Sequence, residues 1–232
     1  MPITATRLRT IPFFKGIDPA LFDRVLPYVQ EKVCRKGAII FLEGSEGDEI
    51  YFILSGSVSI HTINKSKKVV LALFQEGDYF GEMALIKPGL VRSATAETAS
   101  QTRLLSLRRS HFQLLFENDR NLLHYLVEDT MNRLRKANQQ IYDLTFLSVR
   151  SRIVKRLVSW CDEYGGGSDP SAPVRIPIKL THQQLADMVG AVRETVSKVL
   201  QEMQDEDLIR IQQKMIQVQD RSKLEKLLEN EV

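Results

Sequence analysis

The sequence is poor in the residues that build metal centres and covalent frameworks, with 2 cysteines and 4 histidines in 232 residues. Cys34 and Cys161 lie far apart with no CxxC spacing, which argues against a disulfide framework, a cysteine-based zinc site and an iron–sulfur cluster, and suits a reducing compartment. His61, His111, His124 and His182 are scattered singly, so the close histidine cluster of a cupin-like metal enzyme is missing. No nucleophile and base are paired by spacing either, and no enzymatic activity and no metal, haem or iron–sulfur cofactor is expected. Long apolar runs are also absent. Nothing approaches the ~18 apolar residues of a membrane span, and Met1–Thr10 has no apolar core of signal-peptide length. A cytoplasmic protein without a membrane partner is therefore expected. Charge of one sign is scarce too: 32 Lys and Arg face 29 Asp and Glu, a net charge of +3. That balance suits a nucleic-acid partner without requiring one, so any attraction to DNA must come from placement.

What is present falls into three textures. Hydrophobic residues make up 43% of the chain, enough for two modest cores. Asp18-Pro19 followed by Leu21, Phe22, Val25 and Leu26 predicts a short leading helix, with a cap and then proline in the first turn. From Lys36 to Leu107, β-prone runs at Ala38–Leu42, Ile50–Leu54, Val58–Ile63, Val69–Phe74 and Leu104–Leu107 alternate with Gly/Asp/Ser-rich turns. This spacing predicts a β-sandwich, jelly roll or barrel. From about Ser110 to Leu144 the residues Leu123, Val127, Thr130, Leu134, Ala137, Ile141 and Leu144 alternate steps of four and three. That is a heptad seam: it predicts a long helix pairing with its twin in a homodimer, against the alternative of a helix packed only on its own β-domain. A further helical pattern through Ile153, Leu157, Val158 and Trp160 ends at Tyr164, and Gly165–Pro173 reads as a surface loop.

Near the C-terminus, Thr181-His182-Gln183-Gln184 has the form of a capping box. The helix it opens carries Leu185, Met188 and Val189 and stops at Gly190. A second helix, with Val196, Val199, Leu200 and Met203 inward, follows after a three-residue turn, which makes a helix-turn-helix. Arg193, Glu194, Ser197 and Lys198 then share an outward face near the start of the second helix. In the major groove an Arg there can grip guanine O6/N7 and a Glu can accept from cytosine N4; the competing reading is a solvated face held by pairs such as Glu194–Lys198. Ile209–Ile211 and Ile216–Val218, with Gln212-Gln213-Lys214 between them, read as a β-wing that puts Lys214 near phosphate.

Upstream, Gly81-Glu82-Met83-Ala84-Leu85 breaks the β-pattern with a short helical turn, and Arg92-Ser93-Ala94 follows. Free N–H groups, an Arg and a hydroxyl could hold a phosphate, with Glu82 accepting from sugar hydroxyls. The alternative is an ordinary turn with a surface Arg92–Glu82 salt bridge.

These residues resemble a known family. Gly81-Glu82-Met83-Ala84-Leu85 with Arg92-Ser93-Ala94 is similar to the phosphate-binding cassette of cyclic-nucleotide-binding domains. Val192-Arg193-Glu194-Thr195-Val196 is similar to the recognition helix of the cyclic AMP receptor protein/fumarate-nitrate regulator family. The order of cassette, long helix, helix-turn-helix and wing covers nearly the whole chain. The resemblance implies an α+β architecture: a β jelly-roll cyclic-nucleotide-binding-like domain over residues 1–109, a long dimerisation helix and hinge over 110–147, and a winged helix-turn-helix domain over 148–232. It implies that Gly81, Glu82, Met83 and Ala84 form the cassette, that Glu82 holds the ribose hydroxyl and that Arg92 and Ser93 hold the cyclic phosphate. Arg133 would brace Glu82, and cyclic AMP would be the first-choice effector.

The sequence departs from the family where Ala137-Asn138 replaces a Thr-Ser pair that meets adenine. Asn138 can donate and accept, but the hydroxyl at 137 is gone, so a vestigial cassette or another ligand stays open. On the DNA side the resemblance implies Arg193 on guanine, Glu194 on cytosine and Lys198 in the place of an Arg, with Thr181 and Ser197 in the same DNA-facing set. The implied partners are palindromic double-stranded DNA, a second copy of the chain and, for an activator, RNA polymerase. The cysteines of the family's iron–sulfur branch are missing near the N-terminus.

Overall fold

Strands in the first half of the chain alternate side chains between two apolar environments, and this builds the fold. The computed structural model describes residues 8–9, 11–65, 67–165 and 172–229; most of the loop expected at Gly165–Pro173 lies outside them. The strands are β1 (Gln30–Cys34), β2 (Ile39–Phe41), β3 (Glu49–Ser55), β4 (Val58–Asn64), β5 (Lys67–Phe74), β6 (Tyr79–Phe80), β7 (Thr95–Thr98) and β8 (Thr102–Arg108). They form two four-stranded sheets, ordered β1-β8-β3-β6 and β2-β7-β4-β5, with antiparallel pairing. Between the sheets lie Tyr51, Ile53, Val58, Phe80, Ala96 and Leu104. The other face of the first sheet sends Ile50, Phe52, Leu105 and Leu107 against Phe13, Phe14, Phe22, Phe112 and Leu115. Strand β3 is covered on both faces, which is why it reads as a nearly continuous apolar run.

Helix α1 (Pro19–Val25) starts as expected, with the Asp18 carboxylate accepting from the backbone N–H of Ala20 and Leu21. The helical stretch expected from about Ser110 to Leu144 is two helices, α2 (Arg109–Asn118) and α3 (Arg120–Phe146). The break is at Asp119, whose backbone is extended and whose carboxylate accepts from the N–H of Asn121 and Leu122 at 2.9 and 3.0 Å. An aspartate at that point starts a new helix without help from proline or glycine. On α3, Leu122 and Leu126 are buried in the β-domain core. The heptad residues Leu123, Val127, Thr130, Leu134, Ala137, Ile141 and Leu144 are all exposed.

The chain divides into two compact units, Met1–Arg135 and Lys136–Val232. The second holds the end of α3, then α4 (Val149–Tyr164), β9 (Val174–Arg175), α5 (His182–Val189), α6 (Arg193–Asp205), β10 (Ile209–Gln212), β11 (Met215–Val218) and α7 (Arg221–Glu229). Ser148 caps α4 by accepting from the Ser151 N–H. The core joins Ile153, Leu157 and Trp160 of α4 to Leu185, Val196, Leu200 and Met203, and the small sheet has the order β10-β11-β9. Among the described residues no helix is long and apolar enough to cross a membrane, and no group of three or more His, Cys, Asp or Glu could hold a metal ion.

Candidate ligand site and nucleic-acid interface

In the first unit the residues of the cassette surround Arg92. Gly81 adopts φ 87° and opens a one-turn helix, Glu82–Leu85. Left-handed backbone of this kind suits glycine, and a Cβ at Gly81 would also lie 2.7 Å from Arg92 Nη1. A Cβ at Gly47 would lie 2.3 Å from Arg92 Nε, so both glycines make room for the guanidinium. Arg92 is 5% exposed. Its Nη1 donates to the Gly81 carbonyl at 2.7 Å and its Nη2 to the Glu49 carbonyl at 2.8 Å. The guanidinium carbon sits 4.2 Å from the centroid of the Phe41 ring, and Nε has no hydrogen-bond partner among the described residues. Burial pulls its pKa below the usual value. Arg92 is therefore no surface residue, and the surface Arg92–Glu82 pair considered from sequence is not what the structure forms.

Glu82 instead faces Arg133 of α3, at 3.5 Å from Nη1. Burial raises its carboxyl above the usual range, against the opposing pull of Arg133. Arg133 is held more tightly elsewhere. Its Nε donates to Asp129 at 2.7 Å and its Nη2 to the Tyr79 carbonyl at 2.8 Å, while its face covers the Phe74 and Tyr79 rings. The Tyr79 hydroxyl donates to the same Asp129 oxygen at 2.7 Å. Burial and then this hydrogen bond raise the Tyr79 pKa. Asp129 went unnoticed in the sequence, although its i,i+4 spacing from Arg133 was legible there. The glycine slot at 47 had no comparable signal. Ser93 is exposed, with its hydroxyl 3.7 Å from Met83 Sδ. Met83 is exposed and Ala84 is buried, its carbonyl accepting from Arg109 at 2.7 Å. The structure thus brings a carboxylate, two guanidiniums and a hydroxyl to the same turn. Ala137 and Asn138 follow on α3 within the second unit, both exposed.

The second unit contains the expected helix pair. Thr181 Oγ1 accepts from the Gln184 N–H at 3.1 Å and the Thr181 N–H donates to Gln184 Oε1 at 2.9 Å, a complete capping box. Helix α5 ends at Gly190 with φ 65°. A Cβ there would lie 2.6 Å from Leu144 Cδ2, and Arg152 Nη1 donates to the neighbouring Val189 carbonyl at 2.7 Å. The turn to α6 is thus seated on the end of α3 and the start of α4. Val196, Val199, Leu200 and Met203 face inward from α6. Arg193, Glu194 and Lys198 are exposed and Ser197 is half-buried. Lys198 approaches Glu202 at 3.9 Å rather than Glu194, a loose contact between exposed groups that contributes little. The Ser197 hydroxyl lies 2.7 Å from His182 Nδ1. Lys214 is exposed at the β10–β11 turn, where Gln213 and Lys214 have φ 51° and 64°. Its carbonyl accepts from the Leu180 N–H at 3.0 Å, which ties the wing to the approach to α5.

The sequence profile of the cyclic nucleotide-binding domain matches residues 31–119, and that of the Crp-like helix-turn-helix domain matches residues 151–227. A cyclic AMP receptor protein of Thermus thermophilus is 31% identical over 217 residues, covering 93% of this chain and 96% of its own. A CRP-like cAMP-activated global transcriptional regulator of Mycobacterium tuberculosis is 28% identical over 212 residues, 91% of this chain and 93% of its own. Among solved structures, a cyclic di-GMP-responsive global regulator of Xanthomonas campestris aligns with a TM-score of 0.74 and 26% identity, over 87% of this chain and 99% of its own. The two matched domains, in this order and with a relative similar over nearly its full length, place the chain in the cyclic AMP receptor/fumarate-nitrate regulator family of transcription regulators.

Proposed function

We propose that the protein is a homodimeric, sequence-specific DNA-binding transcription regulator, controlled by a small ligand in the β-domain, with cyclic AMP the first choice. The observation that carries the DNA half is the exposed face of α6. Arg193, Glu194 and Lys198 stand clear of the core on a helix anchored by its opposite face. In this reading Arg193 grips guanine, Glu194 accepts from cytosine, Ser197 and Lys198 extend the contact, and Thr181 and Lys214 sit against phosphate. Lys198 is a point charge without the fork of an arginine, so it specifies its base less sharply. The row of exposed apolar residues from Leu123 to Leu144 is the proposed dimer seam. Two-fold symmetry then implies a palindrome with half-sites about one helical turn apart, ~34 Å. An activator would also contact RNA polymerase, and the protein would work in the cytoplasm.

In the ligand half, Glu82 accepts from a sugar hydroxyl, Arg92 and Ser93 take the cyclic phosphate, and Arg133 holds Glu82 in place. Asn138 can both donate to and accept from a base edge. Leu144 against Gly190, with Asp143 paired to Lys155 at 2.6 Å, gives the end of α3 a direct hold on the helix-turn-helix. A second reading, in which the cassette is vestigial and the dimer acts without a cyclic nucleotide, is favoured by two observations: Arg92 is already engaged by two backbone carbonyls, and Ala137 carries no hydroxyl. The relative names speak of cyclic AMP and of cyclic di-GMP, so the effector is not fixed by kinship. Calorimetry separates the readings. Heat with cyclic AMP that disappears in Arg92→Ala supports ligand control, whereas no heat with cyclic AMP or cyclic GMP supports the vestigial cassette. On the DNA side, Arg193→Ala should cost ~1–3 kcal/mol of discrimination at one base in a gel-shift series; unchanged specificity would overturn the assignment of α6.

A further inference from the structure

The DNA-facing surface holds a hydrogen bond that none of the roles above uses. His182 is the first residue of α5 and Ser197 lies one turn into α6. Nδ1 and Oγ are 2.7 Å apart, a short contact for this pair of atoms. Ser197 follows Arg193 by four positions and Glu194 by three, so it shares their face. It differs from them in being half-buried with its hydroxyl occupied by a neighbour.

A serine hydroxyl carries one proton and two lone pairs, and alone it can rotate to serve as donor or acceptor. A hydroxyl free to do both discriminates poorly between bases. A partner that consumes the proton removes one of the two roles. We propose that His182 is a positioning residue that fixes Ser197 as an acceptor, and so sets which base the protein takes at that position. With the ring proton on Nε2, where it can donate to a phosphate oxygen of the duplex, Nδ1 accepts the Ser197 proton. Ser197 then presents only lone pairs to the groove. In the major groove the amino groups of adenine N6 and cytosine N4 can donate to it, whereas guanine O6/N7 and thymine O4 cannot. The inference rests on α6 being the recognition helix, and it adds a named source of selectivity beside Arg193 and Glu194.

The test is selection from a randomised duplex library by the full-length protein at pH 8, run with and without cyclic AMP. Wild type, His182→Ala, His182→Asn, Ser197→Ala and Arg193→Ala are compared, with thermal melts confirming that each variant folds. Wild type should enrich adenine or cytosine at one position of each half-site. His182→Ala frees the hydroxyl, so that preference should fall about fivefold, the ratio a single neutral hydrogen bond supports, with the other positions unchanged. Ser197→Ala should lose the same preference. His182→Asn should keep it, because the Asn carbonyl oxygen can stand where Nδ1 stands. An unchanged preference in His182→Ala overturns the proposal, as does equal loss in His182→Ala and His182→Asn, or a uniform drop in affinity without a change at one base. Arg193→Ala keeps the two failures apart. If it shifts its own position while His182→Ala shifts none, the recognition helix stands and the His182 role falls; if it shifts nothing, the recognition-helix reading falls and the His182 role with it.

Discussion

Replacing Gly190 with alanine tests the packing at the turn between α5 and α6. Gly190 has φ 65°, and placing a side-chain-bearing residue in the left-handed region costs about 1–2 kcal/mol. The new Cβ would also fall 2.6 Å from Leu144 Cδ2 and 3.4 Å from Arg152 Nη1. The first distance cannot persist, so Leu144 must move. It is 43% exposed, which lets its tip swing outward at a cost of about 1 kcal/mol in rotamer strain and lost contact. The expected destabilisation is therefore about 2–3 kcal/mol. Urea denaturation followed by tryptophan fluorescence measures it locally, because Trp160 is the only tryptophan and lies in the core of the second unit. In a Leu144→Ala background the steric share should vanish and only the backbone share of about 1–2 kcal/mol remain. Because Leu144 also lies in the proposed dimer seam, Gly190→Ala is compared with Gly190 within each background at one protein concentration, so that the seam's own contribution cancels in the difference. A loss below about 0.5 kcal/mol, or the same loss in both backgrounds, would refute the contact between Leu144 and the turn.

Two further outcomes follow from titrating groups, one half-buried and one buried. The Glu82 carboxyl is raised by burial against the pull of Arg133, so the folded state resists ionising it. Stability should then drain as pH rises from the ordinary carboxylate value through the raised one. Glu82→Gln removes that drain: in calorimetric melts between pH 4 and 8 the variant should gain on wild type as pH rises, while its affinity for cyclic AMP drops. A wild type that gains on the variant would show that Arg133, not burial, dominates. Burial likewise pushes the Cys161 thiol up to about 11, and Cys161 is buried while Cys34 is only partly so. Because the thiolate is the reactive form, a chromogenic disulfide reagent at pH 8 should label one thiol per chain quickly and the second only after unfolding; two fast equivalents would contradict the burial of Cys161.

How much of this could be read from the sequence depended on how far apart the cooperating residues lie. Helix α1, the capping box at Thr181 and the stop at Gly190 are set by neighbours within four positions, and the wing by strand pairs running from Gln212–Met215 to Ile209–Val218; each stood out in the residue order. Strands β1, β6 and β7 did not. Strand β1 mixes charged residues with Val33 on a sheet edge, β6 has two residues, and β7 is Thr-Ala-Glu-Thr. None of the three presents the large alternating apolar residues that mark a strand. The break at Asp119 was hidden because an aspartate reads equally well as a helix surface residue or as a cap, and only its extended backbone decides.

The same distance rule separates the two halves of the candidate site. The phase of α6 follows from its apolar residues, so the outward face of Arg193, Glu194 and Lys198 is fixed once the helix is granted. What each side chain touches is a different matter, because partners depend on how helices and strands pack, and packing angles are not written in local spacing. Arg92 meets the carbonyl of Glu49, 43 positions earlier, and Ser197 meets His182, 15 positions earlier. Resemblance to a family supplied the role proposed for Arg92 but could not show that two carbonyls already hold it. For His182 it supplied nothing, since a single histidine carries no pattern. In the proposed reading, ligand control therefore depends on whether a cyclic phosphate can engage a buried guanidinium that the Gly81 and Glu49 carbonyls already hold. The bonds to both carbonyls are already charge-assisted because the guanidinium is ionised, but a phosphate adds a charge of its own and can take Nε, which the carbonyls leave open. Filling the slot at Gly47, where a Cβ would lie 2.3 Å from that Nε, should therefore lower ligand affinity more than any change at the exposed Ser93.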